Sequence, residues 1–311
     1  MNPNSQVLIL LCSHLCAEDG VKPLEPREWS ILAKKLMEEK LCPADLLFFQ
    51  ENSMAQRLHL DEETAKRYQR LLDRAGSMEF ALSNYESMGI QPVTRADPLY
   101  PKSLKKKLGN FCPPLFYVAG DLNLLHTKTV GYVGARNVGN EDVHFTKTTI
   151  HKTIRRGYGV VTGGARGIDQ TSSQYALSEG APVIEYLADS LLKKLKQAEY
   201  VKAIQSGKLL TLSVAKPDAG FHVGIAMMRN RYIYAQSSGT VIVHSDLNKG
   251  GTWTGAAENL EKNWCPTFCW DYPYPGNQEL IKKGAVPIGD NWNGDISLET
   301  GKGGFKQMEL F

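Results

Sequence analysis

The sequence has no apolar run long enough to cross a bilayer. Val7 to Leu11 falls far short of the ~20 residues that a spanning helix needs. Met1 to Gln6 carries no basic stretch of the signal-peptide kind, so a cytoplasmic protein that does not engage a membrane is expected. Cysteines are few. The six include two C-x₃-C pairs, Cys12 with Cys16 and Cys265 with Cys269, and neither pair has the second pair or His series that completes a zinc set. Free thiols in a reducing compartment are the reading, with no metal. A G-x-G-x-x-G after the first strand of the repeating region is missing, which argues against a dinucleotide oxidoreductase. The absence of G-x-x-x-x-G-K-[ST] argues against a P-loop ATPase. Neither a Ser-His-Asp order nor a pair of inward carboxylates shows in the loops, so no catalytic residue and no cofactor is expected. Strong charge is also lacking: the net charge is +3, so any surface for nucleic acid must come from local clustering.

What is present divides into two regimes. Hydrophobic residues make up 42% of the 311, enough for a buried core. Residues 1–90 read as a helical accessory domain. Glu28 to Lys40 and Asp61 to Arg74 repeat apolar residues at three- and four-residue spacing, Asp61 opens a helix, and Gly76 and Gly89 read as stops. A proline-rich connector, 91–125, contains one strand, Leu115 to Val118. From 126 to 290 short apolar runs alternate with helix-length segments. The strands expected are Thr129 to Val133, Gly159 to Thr162, Pro182 to Leu187, Leu209 to Val214, Thr240 to His244 and Pro266 to Trp270, with helices at Asp142 to Arg155 and Ile168 to Ser178. Strands apolar on both faces and alternating with helices predict an α/β fold: a Rossmann-like parallel sheet with helices on both faces. Right-handed crossovers then bring every strand-to-helix loop to one edge. Residues 291–311, with Gly301, Gly303 and Gly304, read as a flexible tail.

The loops of that edge combine glycine with cations. Gly134-Ala135-Arg136 follows the first strand, and Thr162-Gly163-Gly164-Ala165-Arg166-Gly167-Ile168-Asp169 follows the second. Arg229-Asn230-Arg231 precedes the fifth strand, and Lys249-Gly250-Gly251-Thr252 follows it. Glycines at helix N-termini let backbone N–H groups approach an anion, and a guanidinium suits bidentate phosphate capture. The pattern predicts a phosphate cradle with several sockets.

These motifs, in this order, resemble the DNA-processing protein A (DprA, also called Smf) family. So do the approach Asp97-Pro98-Leu99-Tyr100-Pro101-Lys102-Ser103-Leu104 and the strand Pro114 to Gly120. The likeness runs from about Asp97 to Trp270. It implies a protein that binds single-stranded DNA and passes it to a RecA-type recombinase, with dimerisation as a further implication. Carried over, Arg136, Arg166, Arg229 and Arg231 would hold phosphates, together with the N–H groups of Gly163, Gly164 and Gly167. Lys193 and Lys194 would assist, and Asp169 would cap its helix and orient Arg166. Where the family usually has Phe and Pro before R-N-R, this chain has Ala226-Met227-Met228, with Phe221 displaced. Tyr132, Phe221 and Trp253 lie near the loops and could stack bases.

The same cradle suits two other functions. One is a sensor that binds a nucleotide without turnover. The other is a nucleoside-monophosphate ribohydrolase, with Glu258 as its carboxylate. At the extreme C-terminus, Gln307-Met308-Glu309-Leu310-Phe311 resembles the Q-x-x-L-F peptide that docks on the DNA polymerase sliding clamp. In that reading Leu310 and Phe311 are the apolar anchors and Gln307 the polar contact.

Overall fold

The structure, a computed structural model, describes residues 1–16 and 20–297. The clamp-like peptide with Gln307, Leu310 and Phe311 lies outside the described residues. The described chain divides into two compact units, Met1–Val118 with Val214–Pro217, and Ala119–Ser213 with the residues from Asp218 onward.

The first unit is mainly helical: α1 (Pro3–Cys12), α2 (Pro26–Glu38), α3 (Glu51–Arg57), α4 (Glu62–Leu72), α5 (Ala75–Ser87) and α6 (Lys102–Leu108), with strands β1 (Gln91–Thr94) and β2 (Leu115–Gly120) paired antiparallel. Helix α1 starts with Asn2 capping the Asn4 N–H at 2.9 Å and Pro3 at the first position. Its apolar run, Val7 to Leu11, is buried and forms the centre of this unit's core. Arg74 draws the end of α1 down by donating from Nε to the Leu10 carbonyl at 3.0 Å. Asp61 caps α4 on the Thr64 N–H at 2.7 Å, as its position predicted. Gly76 does not stop a helix: α5 runs through it, and the chain instead breaks at Arg74 and at Gly89, where φ is +76°. No helix among the described residues is long and apolar enough to cross a membrane.

The second unit alternates strand and helix: β3 (Thr129–Val133), α7 (Asn140–Ile154), β4 (Gly159–Thr162), α8 (Ile168–Ser178), β5 (Val183–Tyr186), α9 (Leu191–Leu195), α10 (Ala198–Gln205), β6 (Leu209–Ser213), α11 (Val223–Gln236), β7 (Gly239–Ile242), α12 (Gly250–Lys262), β8 (Thr267–Trp270), α13 (Pro275–Lys282) and β9 (Val286–Ile288). The strands lie in the order β6-β5-β4-β3-β7-β8-β9, and neighbours run parallel. Every residue of β3 to β8 is buried, as a strand covered on both faces requires. Helices α8 and α11 both pack over β3, β4 and β5. Three strands can hold two such helices only on opposite faces. The chain builds outward from β3 to β6, then returns to add β7 on the other flank of β3. This reversal opens a crevice at the carboxyl ends of β3 and β7, where open α/β sheets bind ligands.

Candidate nucleic-acid interface

Three loops meet at that crevice: 134–139 after β3, 163–167 after β4 and 243–249 after β7. They line two clefts of about 600 and 710 Å³, and Arg136, Phe221 and Arg229 contribute to both. The expected residues separate into a spare rim and an engaged floor.

The rim is exposed. Arg136 projects with its guanidinium 5.4 Å from the ring centroid of Phe221, a cation–π contact. Arg166, also exposed, donates to Asn137 Oδ1 at 2.8 Å. Lys193 near the end of α9 and Lys249 at the N-cap of α12 are exposed as well. Phe221 is 53% exposed, unusual for so large an apolar ring.

The floor is tied down. Arg229 is 6% exposed and donates to Asp169 Oδ2 at 3.1 Å. Its guanidinium lies against Gly163, in the space a Cβ there would take, so glycine is required for that approach. The Nε of Arg229 is buried without a hydrogen-bond partner among the described residues. Asp169 stands in the first turn of α8 and also accepts from the Ala165 N–H at 3.3 Å. Its ionic partner is therefore Arg229, not the Arg166 expected from sequence. Lys194 reaches the Gly164 carbonyl at 3.0 Å and the Tyr200 hydroxyl at 2.9 Å, and Tyr200 donates to Glu185 at 2.9 Å. Burial pushes the Glu185 carboxyl above the usual carboxylate range, against hydrogen bonds from Ser173 and Tyr200 and the charge of Lys194. Two latches join the other loops: Asn230 donates to the Gly251 carbonyl at 3.0 Å, and Thr252 to the Gly134 carbonyl at 3.0 Å. Gly167, at φ +88°, turns the chain into α8.

Three expectations are corrected by this geometry. Arg229-Asn230-Arg231 is not a loop but the middle of α11. Two residues apart on a helix, the two arginines point to different sides. Arg231 accordingly leaves the clefts and pairs with Glu258 of α12 at 2.9 Å. That pairing also engages Glu258, the carboxylate of the ribohydrolase reading, which lines neither cleft. Tyr132 is fully buried, with its hydroxyl 3.0 Å from Thr153, and belongs to the sheet core; Trp253 is half-buried in α12 and lines neither cleft. Of the three aromatic candidates, Phe221 alone borders the crevice.

The sequence profile of the family described as DNA recombination-mediator protein A matches residues 91–295, which include every loop just described. The chain belongs to that family. It is 28% identical over 229 residues to the DNA processing protein DprA of Bacillus subtilis, covering 70% of this chain and 73% of that one. The DprA of Streptococcus pneumoniae shares its fold, with a TM-score of 0.66 at 18% identity over 85% of this chain and 95% of that. A DprA of Helicobacter pylori, described for its single-stranded DNA binding mode, matches with a TM-score of 0.54 at 26% identity over 65% of this chain and 92% of that.

The family motifs did not point to every residue of the crevice. Glu185, Asn137 and His244 all stand in or beside it. Glu185 had a signal that could have been used: a carboxylate in the apolar strand Val183-Ile184-Glu185-Tyr186 needs buried partners.

Proposed function

We propose that this chain binds single-stranded DNA at the crevice of its parallel sheet, with the rim cations on backbone phosphates. The observation that carries this reading is the convergence of Arg136, Arg166, Lys193 and Lys249, all exposed, on glycine-rich helix starts at one sheet edge. The backbone N–H groups around Gly134, Gly163, Gly164, Gly167, Gly250 and Gly251 complete the anion sockets. Arg229 lines both clefts from the floor, with one terminal nitrogen on Asp169. Lys194, Asn230 and Thr252 hold the loops in place, and Arg231 braces α11 against α12. Phe221 offers a face for one base beside Arg136. In the cytoplasm such a protein would hand its strand to a RecA-type recombinase, acting as a homodimer. The Gln307, Leu310 and Phe311 peptide would tether it to the sliding clamp.

Titrating oligothymidylate of increasing length against mononucleotides, at two salt concentrations, tests the reading. Affinity that climbs with length and falls with salt is expected. Tight, length-independent binding of a mononucleotide would instead make the crevice a nucleotide sensor.

A further inference from the structure

We propose that His244 is a protonation-dependent phosphate contact in the crevice, so that DNA binding takes up a proton. The inference rests on the phosphate reading of the crevice and adds a group that no loop motif contains. His244 follows β7 at the carboxyl edge of the sheet, and its side chain is 20% exposed. It lines the larger cleft together with Arg136, Lys249, Gly250 and Gly251.

The ring is held from two directions. Its Nδ1 stands 3.4 Å from Asp142 Oδ2, and its face stacks on Tyr274 with centroids 3.7 Å apart and planes 4° from parallel. Asp142 is 1% exposed, although it belongs to the first turn of α7. It is a hub for three elements, accepting also from the Gly139 N–H at 2.8 Å and from the Tyr274 hydroxyl at 2.9 Å. Burial and the bond to Asp142 push the Tyr274 hydroxyl well above its usual range, so Tyr274 remains a donor. The carboxyl therefore stands where it can accept from an Nδ1–H, and the stack on Tyr274 sets the plane of the ring. This is the arrangement by which a carboxylate orients a histidine for work at its other nitrogen.

Nε2 is that other nitrogen, and among the described residues it makes no hydrogen bond. A neutral ring presents a lone pair there, which a phosphate oxygen avoids. A protonated ring presents an N–H and a positive charge, which a phosphate oxygen seeks. Binding and protonation are thus linked: the phosphate favours the charged ring, and the charged ring favours the phosphate. The surrounding charges divide. Arg136 and Lys249 bring positive charge to the same cleft, and Asp169 and Asp246 negative charge. The chain then binds DNA more tightly as pH falls.

The test is calorimetric titration of oligothymidylate into the full-length protein and into His244→Gln, between pH 6 and pH 8, in two buffers of different ionisation enthalpy. The expected result is proton uptake by the natural chain and a several-fold gain in affinity toward pH 6. His244→Gln should show neither effect. It should also lack about 0.7 of the salt slope at pH 6. Equal proton uptake and pH dependence in both proteins would overturn the inference while leaving the DNA reading intact. No binding of oligothymidylate at any pH would overturn both. In case the variant is poorly folded, the ring-proton NMR shifts of His244 in the natural chain supply a second measurement. Saturating oligothymidylate should move them toward the imidazolium values, and unmoved shifts contradict the proposal.

Discussion

The rim and the floor of the crevice use the same residue types for opposite purposes. Arg166 on the rim is exposed and bonded to one neutral amide, whereas Arg229 on the floor is buried against Gly163 and paired with Asp169. Lys193 is exposed, whereas its neighbour Lys194 is bonded to the Gly164 carbonyl and to Tyr200. A cation in a glycine-rich loop is therefore not automatically a ligand contact. On the floor, cations hold the loops in shape; on the rim, charge is left over, and the proposed function assigns it to DNA phosphates. Substitutions that separate stability from affinity can break this distinction or sharpen it.

The largest effect is expected on the floor. Arg229→Ala, or Asp169→Ala, leaves one buried charge without its partner, a loss of about 3–5 kcal/mol. Urea unfolding should show it, with DNA affinity falling as the loops loosen. A loss below about 1 kcal/mol would mean that the pair does not brace the crevice. Phe221→Ala should come next, on affinity alone: losing one stacked base costs about 1–3 kcal/mol of binding by oligonucleotide titration, with the unfolding midpoint unchanged. An affected midpoint would make Phe221 a packing residue instead.

Glu185 gives a pH signature. Burial raises its carboxyl in the folded chain, so the folded state holds a proton that the unfolded state has released. Its contribution is therefore present at acid pH and is lost as pH rises above the unfolded carboxylate range. Glu185→Gln should flatten that part of the stability-versus-pH curve, and an unchanged curve would show that Lys194 and Tyr200 hold the carboxyl ionised. The smallest effect belongs to Arg231→Ala. Its pair with Glu258 is about one-third exposed on the arginine side, at 33%, so about 1 kcal/mol of stability or less is at stake and oligothymidylate binding should not change. Weakened binding would return Arg231 to the interface.

The sheet was the legible part of this chain. Thr129 to Val133 and Gly159 to Thr162 are apolar on both faces and bounded by turn residues, and both are strands with those limits. Shorter or mixed elements were not legible. β9 (Val286–Ile288) is three residues long and contains Pro287, and β1 (Gln91–Thr94) contains Pro92, so neither carries a strand signal of its own. α11 was hidden because the R-N-R motif drew attention to its chemistry, although Ile225 to Gln236 contains no Gly or Pro to interrupt a helix. The site was legible as a set of glycine-rich loops and no further. Asp169 and Arg229 are 60 residues apart, and Arg231 and Glu258 are 27 apart. Such pairings exist only after folding, and they decide which arginine remains available. Exposure separates Phe221 from Tyr132 in the same way, because both read as aromatic residues near a loop.

The most direct test of the rim-and-floor account is the salt dependence of oligothymidylate affinity for the natural chain and for Arg136→Ala/Arg166→Ala. Each phosphate contact on a single strand contributes about 0.7 to the slope of log K against log salt. The double variant should unfold at the same denaturant concentration as the natural chain and lose about 1.4 from the slope, as two contacts at that value imply. An unchanged slope in a folded double variant would contradict the account.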